Sequence, residues 1–182
     1  MSGARLLFAG GGSGGHIIPG LALAEALEAA GGEPVLVTGG RPVEERITAP
    51  LPWPREVVDL EGGTLRLLRR LPGRVGAMRR LCRRRRIEAV VVLGGRVGLP
   101  AALAAIALRL PLYLLEINGV PGRATRFLAP FARRIFHALP AAAGRLPRAK
   151  VVRSGVPLRA SFLAPPPAAE ARRALELPGD GG

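Results

Sequence analysis

The sequence predicts an α/β fold, a Rossmann-like doubly wound parallel sheet over residues 1–163, followed by a Pro/Gly-rich linker and tail over 164–182. Three observations carry this expectation. Short apolar runs alternate with longer helical stretches, the pattern of a parallel sheet covered on both faces. A glycine run, Gly10-Gly11-Gly12-Ser13-Gly14-Gly15, separates the first apolar run from the first helical stretch. The candidate polar residues fall where apolar runs end, and open α/β sheets bind ligands outside the carboxyl ends of their strands.

The elements follow in order. Arg5-Leu6-Leu7-Phe8-Ala9 reads as a buried first strand, and Ile17 to Leu27 as an amphipathic helix with Pro19 in its first turn. Strands are expected at Leu6–Ala9, Val35–Thr38, Glu56–Asp59, Ala89–Leu93, Leu112–Glu116, Arg134–His137 and Lys150–Arg153. Helices are expected near 18–30, 64–86 with a break at Pro72-Gly73, 97–109 and 122–129. The longest apolar stretch, Leu99 to Leu115, is interrupted by Pro100, Arg109 and Pro111; it reads as a buried helix and then a strand, not a membrane span. Ala164-Pro165-Pro166-Pro167-Ala168 is linker-like, with a short helical stretch at Ala169–Leu177 before Pro178-Gly179-Asp180-Gly181-Gly182. No internal repeat is visible.

Composition bounds the class. The 182 residues suit one domain plus a tail. At 48% hydrophobic but only 4% aromatic, the core is expected to be aliphatic. A single cysteine, Cys82, cannot form an internal disulfide and suits a reducing compartment. The first apolar run is too short for a signal peptide, so a cytosolic location is expected. No grouping of His, Cys and Asp has metal-ligand spacing, and no metal or cofactor is expected.

The formal net charge is +14, and every basic residue except Lys150 is arginine. Leu65-Arg66-Leu67-Leu68-Arg69-Arg70-Leu71 and Met78-Arg79-Arg80-Leu81-Cys82-Arg83-Arg84-Arg85-Arg86 set arginines beside leucines. In the first run, Leu65, Leu68 and Pro72 fall on one helical stripe flanked by Arg66, Arg69 and Arg70. Such pieces suit an anionic membrane surface, where each arginine contributes about 1 kcal/mol. A solvated helix face shows the same pattern. Nucleic acid is not expected, because the runs lack stacking aromatics.

The glycine run carries the chemistry. A strand, a glycine loop and a helix in that order aim backbone N–H groups and the positive end of a helix dipole at whatever sits above the sheet edge. An anion, above all a phosphate, suits that position, and His16 stands beside it. Gly10, Gly12 and Gly15 also match the G-x-G-x-x-G dinucleotide pattern. A nucleotide-dependent oxidoreductase would need an acid at the end of the second strand, where this chain has Thr38-Gly39-Gly40. No Gly-Lys-Ser/Thr follows, as a P-loop would require.

Gly11-Gly12-Ser13-Gly14-Gly15-His16-Ile17-Ile18-Pro19-Gly20-Leu21-Ala22 resembles the first glycine loop of the MurG-type glycosyltransferases. The resemblance continues in chain order over about residues 5–160. Val90-Val91-Val92-Leu93-Gly94-Gly95 with Pro100 is similar to the family's second glycine loop. Leu114-Leu115-Glu116-Ile117-Asn118 followed by Pro121-Gly122-Arg123-Ala124 is similar to its His-Glu-Gln-Asn segment. Val151-Val152-Arg153-Ser154-Gly155-Val156-Pro157-Leu158-Arg159 is similar to the Gly-Asn-Pro-Val-Arg stretch that closes its N-terminal domain. The chain departs from the pattern at Arg96 and Gly98, which replace an aromatic and a hydroxyl. It departs again at Leu115 and Ile117, in place of His and Gln, and at Val156, in place of Asn.

The resemblance implies one half of a GT-B glycosyltransferase, the acceptor-binding N-terminal domain, with the second domain absent. Such enzymes transfer N-acetylglucosamine, with inversion, from UDP-N-acetylglucosamine to a lipid-linked muramyl-peptide diphosphate in peptidoglycan synthesis, as peripheral proteins at the cytoplasmic face of the cell membrane. The donor site would lie mainly in the missing half, supplied by the rest of a longer protein or by a separate donor-domain chain. His16 and Glu116 are the implied catalytic residues, His16 as the base. Gly12, Ser13, Gly14, Gly15, Gly94, Gly95, Arg96, Asn118 and Arg159 are the implied substrate-binding residues. Arg96 could bind phosphate or face solvent; Glu116 and Asn118 could orient sugars or cap a turn. A non-catalytic, membrane-docked subunit that presents the acceptor is the alternative reading. His137 matches no motif.

Overall fold

A computed structural model describes residues 3–11, 14–59, 64–164 and 166–177. Among them, seven strands form one all-parallel sheet: β1 (Arg5–Ala9), β2 (Glu33–Thr38), β3 (Arg55–Val57), β4 (Ala89–Val92), β5 (Leu112–Glu116), β6 (Arg134–His137) and β7 (Val151–Arg153). Their spatial order is β3-β2-β1-β4-β5-β6-β7, so the winding direction reverses between β1 and β4. The doubly wound sheet expected from the alternation is therefore present.

Pairing fixes what each face presents. Val37, Ala9, Val92, Leu114 and Ile135 stand side by side across five strands, one row of buried aliphatic side chains. They face α3 (Thr64–Arg84), α4 (Gly98–Ala107) and α5 (Arg123–Leu128), whose Met78, Leu81, Ala101, Ala105 and Leu128 complete the same cluster. Each fully buried Leu or Ile in it contributes roughly 1.5–3 kcal/mol. Residues one step out of phase, Phe8, Leu36, Val91 and Leu115, face the other way, toward α1 (Gly14–Ala29) and α2 (Pro42–Thr48). On that face Leu23 and Leu27 of α1 border an apolar groove of about 800 Å³ floored by Val91, Tyr113, Leu115 and Phe136. The edge strands β3 and β7 are three residues each, which limits the backbone they leave unpaired.

Several expected elements differ in detail. α1 begins at Gly14, which puts Pro19 inside the helix, where it lacks the N–H that would reach the Gly15 carbonyl. The helix is not the amphipathic one expected: Ile17, Pro19, Gly20, Leu21, Ala22 and Ala24 are buried while the apolar Ile18 is exposed, so burial does not follow one apolar stripe. α3 runs unbroken through Pro72-Gly73. Both residues face solvent, where water can take the carbonyl that Pro72 leaves without a helical donor, while Met78, Leu81 and Cys82 hold the helix down. Pro72 therefore does not lie on an inward stripe; the side chains of 64–68 lie outside the described residues. α2 and the short α6 (Pro140–Ala143) have no counterpart in the expected elements. The last strands and helices are otherwise close to expectation, with α7 (Ala160–Leu163) and α8 (Ala168–Ala174) beyond β7.

α3 and α4 each end on an arginine in the left-handed region, Arg86 at φ 51° and Arg109 at φ 56°. The next N–H reaches back five residues in each, Ile87 to the Cys82 carbonyl and Leu110 to the Ala105 carbonyl. Cys82 is buried against the sheet, and burial pushes its thiol up to about 11. Among the described residues no helix is long and apolar enough to cross a membrane.

Candidate functional site

Three loops meet at the carboxyl edge where the winding reverses. The chain leaves β1 at Gly10, whose N–H donates to the Val37 carbonyl, and leaves β4 at Leu93, whose N–H donates to the Ala9 carbonyl. The loops then close on one another. Gly94 and Gly95 have φ of 102° and 74°, a region L side chains rarely adopt. A methyl group on Gly95 would collide with the Gly11 carbonyl oxygen, so the two glycine loops touch backbone to backbone. A methyl group on Gly94 would lie 2.8 Å from His16 Cδ2 and 3.2 Å from Nε2.

The imidazole of His16 thus lies against the β4–α4 loop from the first turn of α1, half-buried at the helix's positive end. His16, Gly94 and Gly95, expected at one site, are brought together; Gly14 and Gly15 open the same helix. Gly12 and Ser13 lie outside the described residues. Arg96 follows Gly95 with its side chain exposed.

Glu116 and Asn118 stand one strand further along, at the end of β5 beside β4. Glu116 is 3% exposed and its carboxylate is occupied by its own loop. Oε1 accepts from the Asn118 backbone N–H at 3.0 Å and from Asn118 Nδ2 at 2.8 Å, and Oε2 accepts from Gly122 N–H at 3.1 Å. Gly122 is the residue that caps the start of α5. This geometry lets Glu116 hold the Asn118 amide and α5 in place. Arg159 stands apart. It is clamped to Glu25 at 2.6–2.7 Å, nine residues and about 13 Å further along α1 than His16. His137 is buried beneath the edge, where its Nδ1–H donates to the Leu139 carbonyl at 3.0 Å, a structural role.

One residue at the site was not anticipated. The absence of an acid at the end of β2 counted against a dinucleotide site, yet α2 returns a carboxylate to that place. Glu44 is 0% exposed; its Oε2 accepts from Gly39 N–H at 2.6 Å and lies 3.4 Å from the Arg41 nitrogen. A methyl group on Gly11 would sit 2.7 Å from Oε1. The carboxylate is enclosed beneath the loops and not offered to a ribose, so it braces the β1–α1 and β2–α2 turns. The legible signal was Arg41-Pro42-Val43-Glu44, proline opening a helix with an acid three residues after the cap.

Comparison with known proteins agrees with this architecture. The glycosyltransferase family 28 N-terminal domain matches residues 6–137. The chain is 39% identical over 173 residues to the UDP-N-acetylglucosamine–N-acetylmuramyl-(pentapeptide) pyrophosphoryl-undecaprenol N-acetylglucosamine transferase of Synechococcus sp. (strain CC9605), covering 90% of this chain and 47% of that one. It is 38% identical over 172 residues to the protein of the same description from Prochlorococcus marinus (strain MIT 9303), covering 90% and 46%. The chain thus spans about half the length of these relatives. Among solved structures, Acinetobacter baumannii MurG superposes with a TM-score of 0.74 at 24% identity, over 82% of this chain and 45% of that one. The UDP-GlcNAc 2-epimerase of Methanocaldococcus jannaschii superposes with a TM-score of 0.62 at 16% identity, over 82% and 44%, a likeness of fold. The chain belongs to glycosyltransferase family 28, of which it carries the N-terminal domain.

Proposed function

We propose that this chain is the acceptor-binding half of an inverting glycosyltransferase that moves N-acetylglucosamine from UDP-N-acetylglucosamine to a lipid-linked muramyl-peptide diphosphate. The observation that carries the reading is the placement of His16 against Gly94 at the reversal point, with the N-terminus of α1 beside it. Backbone N–H groups of the glycine loop, Gly12 to Gly15, hold the acceptor diphosphate. His16 takes the proton from the acceptor hydroxyl, whose oxygen bonds to the anomeric carbon as the bond to UDP breaks with inversion, and UDP leaves carrying the electron pair. Gly94, Gly95 and Arg96 line the neighbouring wall. Glu116 acts through Asn118, whose amide it fixes by a hydrogen bond, while Arg159 fixes the exit of the domain to α1 through Glu25.

The donor nucleotide is held mainly by a second domain, in the same protein or in a separate donor-domain chain. The protein works at the cytoplasmic face of the membrane as a peripheral protein, drawn there by its arginines. In the second reading the chain is a non-catalytic subunit that presents the acceptor; the exposed Arg96, where the family pattern has an aromatic, favours it.

The test is transfer of radiolabelled N-acetylglucosamine to a water-soluble acceptor analogue, with and without a donor domain supplied in trans. This chain alone is expected to be inactive and the pair active. His16→Ala in the pair should lower turnover roughly 10²–10⁴-fold and remove an acid limb in the pH–rate profile. An unchanged acid limb would move the base elsewhere. Normal folding and acceptor binding without transfer in any pairing would favour the presenting subunit.

A further inference from the structure

A further cavity opens at the same carboxyl edge, one strand beyond the glycine loop. It holds about 190 Å³ between the ends of β2 and β3 and the flank of α2, and is lined by Thr38, Gly40, Glu45, Arg55 and Val57. Thr38, Arg55 and Val57 share one face of the sheet, because Thr38 pairs with Val57 and side chains two apart on a strand point the same way. Gly40 closes the end: at φ 78° it leans on Val57, whose Cγ1 would lie 2.6 Å from an added methyl group.

Two groups in this cavity are placed for a ligand. Thr38 is 4% exposed, and among the described residues its hydroxyl has no hydrogen-bond partner, whereas a hydroxyl that deep ordinarily has one. Arg55 uses one donor on Thr48 Oγ1 at 2.9 Å, and Thr48 donates in turn to the Glu44 carbonyl at 2.8 Å, so the guanidinium is held in place from α2. Its acidic neighbour is loose. Glu45 Oε1 is 4.0 Å from Nη2 and the Glu45 side chain is 66% exposed, so it can turn into solvent when another carboxylate arrives. A fixed guanidinium with further donors, and a buried hydroxyl in the same cavity, suit a carboxylate.

The backbone beside the cavity indicates what carries that carboxylate. β3 is an edge strand. The Leu36 N–H donates to the Pro54 carbonyl and the Val58 N–H to the Thr38 carbonyl, so residues 54, 56 and 58 turn their backbone groups to β2. The N–H and C=O groups of Arg55 and Val57 therefore point outward, along an edge that no described strand pairs, where an extended peptide can add. The glycine loop is near. Gly10 N–H donates to the Val37 carbonyl, one residue before Thr38, and neighbouring strands lie about 5 Å apart.

We propose that this cavity is a peptide subsite: the peptide of the acceptor runs along the outer edge of β3 and places a carboxylate on Arg55 and Thr38. The proposal rests on the acceptor reading given above and names the part of that acceptor which reaches past the glycine loop. Diphosphate and peptide are held by different loops, so their contributions separate.

The test is ¹H–¹⁵N NMR titration of this chain with four probes: a water-soluble muramyl diphosphate bearing the pentapeptide, the same compound without its peptide, the pentapeptide alone, and sodium acetate. The peptide-bearing compound should shift the amides of Gly94 and Gly95 and also those of Gly40, Arg55 and Val57. Without its peptide the compound should shift the first set alone and bind roughly 10-fold more weakly. Arg55→Gln should remove that advantage, bringing the two compounds within about 2-fold while the Gly94 and Gly95 shifts persist. Thr38→Val, nearly isosteric, should remove about 3-fold of it, and gives a second measure should the Arg55 change loosen α2. Equal affinity of the parent chain for both muramyl compounds would overturn the subsite and leave the acceptor reading in place. A response of the β3 amides to acetate as strong as to the pentapeptide would do the same, reducing the cavity to an adventitious anion site. Shifts confined to Gly40, Arg55 and Val57 would uphold the subsite and count against the diphosphate site, and silence toward both muramyl compounds would overturn the two together.

Discussion

The β4–α4 and β5–α5 loops do the same task at the same sheet edge by opposite means. The first is fixed by what it lacks: at Gly94 and Gly95 no side chain keeps the backbone away from His16 and the Gly11 carbonyl. The second is fixed by what it carries, a buried carboxylate that accepts three hydrogen bonds from residues 118 and 122. A loop closed by steric absence tolerates almost no substitution, because both the left-handed backbone and the contact forbid a Cβ. A loop closed by hydrogen bonds degrades in steps, one acceptor at a time.

The largest effect should therefore come from Gly95→Ala, which strains a φ of 74° and drives a methyl group into the Gly11 carbonyl. A loss of roughly 3–4 kcal/mol, read as a fall in Tm of about 10 °C, is expected. Gly122→Ala in the other loop should lie within about 0.5 kcal/mol of the parent, since Gly122 has φ −62° and no atom within 4 Å of its added Cβ. Similar losses at the two glycines would break the comparison.

Next in size is Glu44→Ala, which leaves Gly39 N–H without its carboxylate in a fully buried place and opens a void under Gly11. About 2–3 kcal/mol should be lost in urea melts, with Glu44→Gln recovering roughly half. Equal losses for both variants would assign the whole effect to charge.

A stepwise response is expected at Glu116. Glu116→Gln keeps one carbonyl acceptor and should cost roughly 1 kcal/mol, Glu116→Ala about 2. Hydrogen exchange at the Asn118 and Gly122 amides should accelerate in both variants, and unaltered exchange would show that the loop holds itself.

The smallest effect belongs to the core that both loops rest on. Burial raises the Cys82 thiol from an ordinary 9.0 to about 11, so the folded protein keeps a proton that the unfolded chain releases. Stability contributed by the neutral thiol is fully present below about pH 9 and is lost as pH rises toward 11. Between about pH 8 and about pH 9.5 the loss is on the order of 1 kcal/mol. Denaturant melts of Cys82→Ala should lack this slope.

Most of the frame was legible in the residues. The apolar runs at Leu112–Glu116 and Arg134–His137 coincide with β5 and β6, because a buried parallel strand is a continuous apolar run bounded by turn residues. The glycine loops were legible for the same kind of reason, since paired glycines between a strand and a helix have few other uses. α2 was not, because seven residues with one proline and three charges show no periodicity before Glu44 turns inward. The course of α3 through Pro72 was not legible either, because proline's local cost is outweighed by packing six to ten residues further on.

By itself the sequence determined the alternation, the parallel sheet, the positions of the glycine loops and the identity of His16 as the imidazole beside them. These are local properties, written in periodicity and in residues that only one backbone conformation suits. Only the tertiary structure decided that His16 rests on Gly94, that Glu44 returns to the end of β2, that Arg159 pairs with Glu25 far from the loop, and that Phe127 and Phe131 face out. Each of those depends on which distant segment fills the neighbouring space. That is set by strand order and by which side of each helix the core claims, quantities that no window of sequence contains.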